Sequence, residues 1–452
     1  MLRLINLFLG KLGVDSAILF TIFSRIIQAA GGIISIIFIA FFLNKEEQGY
    51  YYTFASILAV QIFFELGLSG ILTQYTAHEF AHLKFEEDGK ISGPIVHQSR
   101  LSSLLYFCVK WFGIISFFLL ILLIIVGFVF FSRYESKANI DWKTPWVILC
   151  VSTALNLFID PLLAFFEGIG LVRDMAKVRL VQKSTNVILL LVFFSLGFKL
   201  YSAALASLVA ILVNFAQIFF STRIRVLKKV WYLKGEFAVN YLKEIFPFQW
   251  RIALSWISGY FIFQLFNPVL FATEGAATAG QMGMTLQALN GIAGVSMSWI
   301  VTKVPAFSAF IATRNFKGLN RSFDATLKQL AIVNLGLSAI FIGGIFLLQL
   351  FHSPFSSRFL SLWPSLLFTI TAFANQIIFA WATYLRCHKK EPFLINSIVV
   401  GLLVSCSTFI VGKAFGLLGI TYGYFLITLC IAVPWSYYIF NFKKRQWHFD
   451  RL

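Results

Sequence analysis

The sequence predicts an all-α polytopic membrane protein with about twelve transmembrane helices in two six-helix lobes around a central cavity. Three observations carry this. Of the 452 residues, 59% are hydrophobic and only 12% are charged, about half the charge of an ordinary soluble domain. The apolar residues fall in runs such as Ile33–Leu43, Ile114–Phe131 and Ala339–Phe351, inside windows long enough to cross hydrocarbon. Finally, several polar landmarks recur at matching places in the two halves.

Taken in order, Met1–Gly13 places Arg3 and Lys11 around a short apolar stretch and reads as an interfacial helix rather than a cleaved leader. Spans are then expected near 16–43, 50–75, 104–131, 145–169, 179–198 and 201–222. A second set follows near 248–272, 277–300, 327–351, 363–385, 393–412 and 417–441. The domain reading is an N-terminal lobe (1–222), a basic cytoplasmic linker (223–247) and a C-terminal lobe with a basic tail (248–452). Pro145 and Asn156 match Pro364 and Asn375 at one offset. Gly49 and Gly280 both open a second span, and Lys228–Lys229 and Lys444–Arg445 both follow a sixth. Like-oriented repeats of this kind suit lobes related by an axis along the membrane normal.

The net charge of +18 would suggest nucleic acid in a soluble chain, but here it follows the loops. With the N-terminus inside, about 29 Lys and Arg lie on the cytoplasmic side and about 7 opposite. Both termini are therefore expected in the cytoplasm, and the basic excess serves insertion and anionic lipid rather than nucleic acid. The five cysteines show no paired spacing and read as reduced thiols.

Polar residues inside spans are costly and mark cavities or partners. The first span offers Thr21, Arg25, Gln28, Gly32 and Ser35 on one face. The second offers Gln61, Glu65, Ser69 and Thr76, the fourth Thr153, Asn156, Asp160 and Glu167, and the seventh Gln264, Asn267 and Glu274, with Arg251 at its inner end. The third, fifth and eleventh spans read as much less polar. These groups suit a water-accessible cavity of mixed charge, and they also suit interhelical hydrogen bonds that hold the bundle together. His78–Glu79–Phe80–Ala81–His82 matches a zinc-protease pattern. A catalytic zinc needs a third ligand, and neither His97 nor the acids near 86–88 falls in a ligand motif, so the stretch reads as an amphipathic interfacial segment. The sequence calls for no metal or cofactor. Without a phosphate-binding loop or nucleophile elbow it reads as a carrier rather than an enzyme.

The runs FSRIIQAAGGIISIIFIAFFLNKEEQGYYYTFASI and FFELGLSGILTQYTAHEFAHL, with FQWRIALSWISGYFIFQLFNPVLF, AGQMGMT and WIVTKVPAF in the second half, resemble the Wzx-type oligosaccharide flippases of the MOP superfamily. That resemblance implies a bacterial inner-membrane protein that carries an undecaprenyl-diphosphate-linked oligosaccharide to the periplasmic leaflet by alternating access. It also implies membrane lipids and polysaccharide polymerase machinery as partners. On this reading Arg25, Gln28, Arg251, Lys303 and Arg386 attract the head group, since arginine forks suit phosphate. Glu65, Asn156, Asp160 and Glu274 line the cavity or couple transport to protons or sodium. A purely potential-driven anion movement is the other expectation. The MATE multidrug exporters share the two lobes, and the acidic groups suit their cation coupling as well.

Overall fold

The computed structural model describes residues 16–86, 91–135, 139–233, 235, 237–388 and 390–449; of residues 16–19, 21–22, 25–26, 29, 242, 248, 251 and 449 it describes the backbone alone. The chain is helical nearly throughout, because hydrocarbon leaves backbone N–H and C=O groups no partner except one another. The first helix, α1, runs Ser16–Phe42 and α2 spans Lys45–Phe80. A two-residue hairpin (β1, Lys84–Phe85; β2, Ile91–Ser92) leads into α3, Ile95–Arg133. Next come α4 (Lys143–Gly168), α5 (Val172–Ser195), α6 (Tyr201–Phe219) and the short basic α7 (Thr222–Trp231). The second half comprises α8 (Phe246–Phe263), α9 (Phe266–Glu274), α10 (Ala276–Ala312), α11 (Phe316–Leu350), α12 (Leu362–Arg386), α13 (Leu394–Ile427) and α14 (Val433–Phe449).

Among the described residues, ten helices are long and apolar enough to cross a membrane. The stretch Leu394–His448 counts once among them but breaks at Gly416, where φ is 57° and ψ −136°; α1 precedes them all. The fold class is the expected one, a multi-pass helical membrane protein. Large apolar side chains such as Phe117, Phe118, Val129, Ile332, Ile340 and Phe415 face outward, which suits acyl chains and not water. Several helices extend beyond the expected spans. For example, α3 begins at Ile95 and α11 at Phe316, where Asn315 accepts a hydrogen bond from Gly318 N at 2.9 Å and caps the first turn. Hydropathy windows end at the first charges, whereas helices end at caps.

Two compact units emerge. The first combines Met1–Gly31, Leu58–Glu135 and Asp141–Trp256; the second combines Gly32–Ile57, Ser136–Ile140 and Ile257–Leu452. In the first unit Trp146 is fully buried and its indole donates to Leu123 O at 3.1 Å. Gly127 makes that approach possible, because a Cβ there would lie 1.9 Å from the indole nitrogen. In the second unit Tyr384, Phe323, Phe440 and Trp381 form an aromatic core.

The second unit also brings the matched glycines together. A Cβ on Gly49 would lie 1.9 Å from Ala276 O, and one on Gly280 would lie 2.8 Å from Gly49 N. Helices α2 and α10 thus cross at backbone contact, as small residues allow in membranes. Gln48 Nε2 donates to Gly280 O at 2.8 Å across this crossing, and Asn267 Nδ2 donates to Ser56 Oγ at 3.0 Å. The Pro145/Pro364 offset recurs in hydrogen bonding as well. Asn156 donates to Ser152 O in α4, and Asn375 donates to Thr371 O in α12.

Candidate functional site

A cavity of about 520 Å³ opens within the first unit, walled by α4, α5, α6 and parts of α1 and α2. Helix α4 presents Thr153, Asn156 and Asp160 to it, one turn apart as their spacing requires. Helix α5 presents Arg179, Gln182, Lys183 and Asn186, again one face. Gln28 from α1 and Gln61 from α2 complete the polar wall. Arg179 is the electrostatic centre, with its Nε 3.1 Å from Glu167 Oε1 and its Nη1 3.4 Å from Asp160 Oδ1. Glu65 lies within electrostatic reach of Asp160 and Arg179. All three members of the Arg179 ion pairs remain partly exposed.

An amide relay fixes the wall. Asn214 Nδ2 donates to Gln182 Oε1 at 2.8 Å, Gln182 Nε2 donates to Asn156 Oδ1 at 2.8 Å, and Asn156 Nδ2 donates to Ser152 O at 2.9 Å. Lys183 Nζ donates to Gln28 Oε1 at 2.9 Å. Each amide is oriented by the next, so the remaining donors and acceptors are presented to the cavity in fixed geometry.

Several expectations change here. The fifth span is not a low-polarity helix, since α5 supplies the cations of this cavity. Those residues lie inside the expected span 179–198 and were passed over as its polar opening turns, although 179, 182, 183 and 186 keep helical spacing. The seventh-span face does not hold either, because the helix breaks between Phe263 and Phe266. Asn267 is buried against Ser56, and Glu274 accepts Leu417 N at 2.6 Å, capping the helix that resumes after Gly416. The second-span stripe is interrupted by a 3₁₀ turn at Ala59–Gln61 and by left-handed Leu66 and Gly67. Ser35 is buried and receives Gln287 Nε2 at 2.8 Å instead of facing solvent.

Of the expected head-group residues, Gln28 reaches the cavity. The side chains of Arg25 and Arg251 lie outside the described residues. Lys303 is exposed on α10, and Arg386 belongs to the second unit, where Glu391 takes its guanidinium at 2.7 and 3.0 Å. Near the HExxH stretch, Glu79 is 3% exposed and bound by Arg100 Nε at 2.8 Å and His97 Nδ1 at 2.7 Å. A carboxylate so enclosed cannot activate water. Arg100 also holds Glu244 at 2.6 Å, keeping that carboxyl below its usual pKa range. Ser99 and Ser103 bind the backbone at Phe237 and Val239, so the segment after α7 is pinned to α3.

No family model matches the sequence, and no curated protein matches it. Solved structures do. An inward-facing multidrug resistance MATE family transporter of the MOP superfamily superposes with a TM-score of 0.68 at 15% identity, covering 93% of this chain and 96% of that one. The MATE multidrug transporter DinF-BH gives 0.62 at 15% identity, covering 96% of each. The lipid II flippase MurJ, in an inward closed conformation, gives 0.58 at 16% identity, covering 93% of this chain and 86% of its own. At such identities the likeness is one of fold. The chain is a multi-pass membrane protein with the fold of MOP-superfamily transporters.

Proposed function

We propose that the protein flips an undecaprenyl-diphosphate-linked oligosaccharide across a bacterial inner membrane by alternating access, with both termini cytoplasmic. The observation that carries this reading is the wall of the first-unit cavity, where the amides of Gln28, Gln61, Asn156, Gln182 and Asn186 stand beside Arg179 and Lys183. Amides both donate and accept, which matches sugar hydroxyls, and the two cations suit a diphosphate. A charged head group cannot cross hydrocarbon without such a hydrated path. Arg25, Arg251, Lys303 and Arg386 also attract the head group in this proposal, and polysaccharide polymerase machinery would receive the product.

A second reading has its own support. Glu65, Asp160 and Glu167 gather around Arg179, and an acidic cluster suits a cation-coupled exporter of the MATE kind, with protons or sodium as the coupling ion. One reconstitution separates the two. Proteoliposomes receive either a fluorescent undecaprenyl-diphosphate sugar or a cationic dye, with and without ion gradients. The flippase reading expects lipid-linked sugar transfer, lost on Arg25→Ala or Arg179→Gln at normal protein levels. Dye efflux without sugar transfer would replace it with the exporter reading.

A further inference from the structure

A second cavity, of about 780 Å³, lies in the second unit, where the end of α10, the start of α11, the end of α12 and the last turns of α14 converge. Its size is within the range of small-ligand sites, and its lining is cationic and aromatic. Arg314, Arg386 and Lys390 all border it, together with Phe316 and Trp447. Glu391 occupies the fork of Arg386, while among the described residues no carboxylate pairs with Arg314 or Lys390. Lys390 Nζ instead sits 5.0 Å over the Trp447 ring.

The backbone adds two features. Arg314 is left-handed, with φ 56°, the conformation that closes α10 as Asn315 N–H bonds back to Phe310 O at 2.9 Å, and it sets the arginine in the bend between α10 and α11. Directly after it, the 35-residue α11 opens with no acidic residue in its first turn, so its positive end carries only the neutral Asn315 cap. Like charges held around a concavity repel until an anion enters, and a multiply charged one relieves more of that repulsion than chloride.

We propose that this cavity binds a phosphate-bearing anion, with Arg314 and Lys390 as its principal ligands. The site shares no lining residue with the first-unit cavity, and its two principal ligands have no part in the proposed head-group route. Two sources offer the same chemistry: a soluble diphosphate, or a phospholipid head group whose chains lie along the apolar rim.

Equilibrium dialysis of radiolabelled inorganic diphosphate tests this, using the full chain in phosphatidylcholine nanodiscs. Saturable binding is expected in an Arg179→Gln background, which removes the first-unit cavity's own diphosphate cation, and is weakened about tenfold or more when Arg314→Gln and Lys390→Gln are added. If the double variant fails size-exclusion, Lys390→Gln alone serves, since its side chain is exposed and supports no core contact. Repeating the titration with phosphatidylglycerol in the discs identifies the source. Weaker apparent diphosphate binding indicates that the head group competes, and unchanged binding indicates a soluble ligand. Absence of saturable binding, or binding that survives the substitutions, overturns the assignment.

Discussion

The crossing of α2 over α10 makes a sharp prediction for Gly49→Ala. The new Cβ would sit 1.9 Å from Ala276 O and 2.8 Å from its Cα, against an ordinary carbon–oxygen contact of about 3.3 Å. Both obstacles are backbone, so no rotamer change relieves them and the helices must part by more than about 1 Å. Overpacking of this kind costs about 1–3 kcal/mol. Parting also stretches the buried Gln48–Gly280 bond, at about 1–3 kcal/mol for the groups left unpaired. Alanine returns about 0.5–1 kcal/mol of helix propensity, so the net loss is about 1–5 kcal/mol. Gly336→Ala is the control, because nothing lies within 4 Å of its Cβ position and it should be neutral or slightly stabilising. Denaturant titration in one detergent, followed by circular dichroism, compares the midpoints. Equal midpoints for Gly49→Ala and the unmodified protein would refute the backbone-contact argument.

Other consequences can be checked with standard assays. Gly416→Ala forces a side chain into a conformation open to glycine and onto Glu274 Oε1, 1.7 Å away; it should destabilise by about 1–3 kcal/mol or more, read in the same titration. Glu244 has a depressed pKa through Arg100, so its contribution is present above the unfolded carboxylate value of about 4.3 and is lost as pH falls through the lower folded value. Proteolysis of the segment at 232–245 should therefore accelerate below about pH 4, whereas Glu244→Gln should show the faster cleavage already at pH 7. Asn156→Ala should reduce translocation with little change in stability, because Gln182, its side-chain partner, lines the cavity. Asn375→Ala should do the reverse, costing about 1–2 kcal/mol by stranding the Tyr424 hydroxyl.

Much of the fold could be read from apolar runs, because membrane helices must be apolar over their lipid-facing length. The paired glycines and the Pro–Asn register were also legible, since local backbone needs write themselves into residue identity. The cavity was legible only on one side. Asn156 and Asp160 interrupt an apolar run and stand out, whereas Arg179 and Lys183 open the expected fifth span and look like its polar edge. Glu274 and Asn267 misled for the opposite reason. Polar residues within a span were read as cavity lining, although one caps a broken helix and the other bonds a neighbouring serine. Sequence spacing reports a face but cannot say whether water, lipid or another helix meets it.

The twin asparagines show how two copies of one device diverge. Each is held by the carbonyl one turn back, yet Asn156 passes its bond to Gln182 at the edge of a wet cavity, while Asn375 donates to the Tyr424 hydroxyl at 2.9 Å. That tyrosine packs against Phe266 and Phe368, with ring centroids 4.9 and 5.9 Å away. The same polar notch is plugged with rings in one unit and left open in the other. At this one register, side-chain exchange with the cavity falls to the first unit's asparagine, while the second unit's asparagine serves the packing of rings.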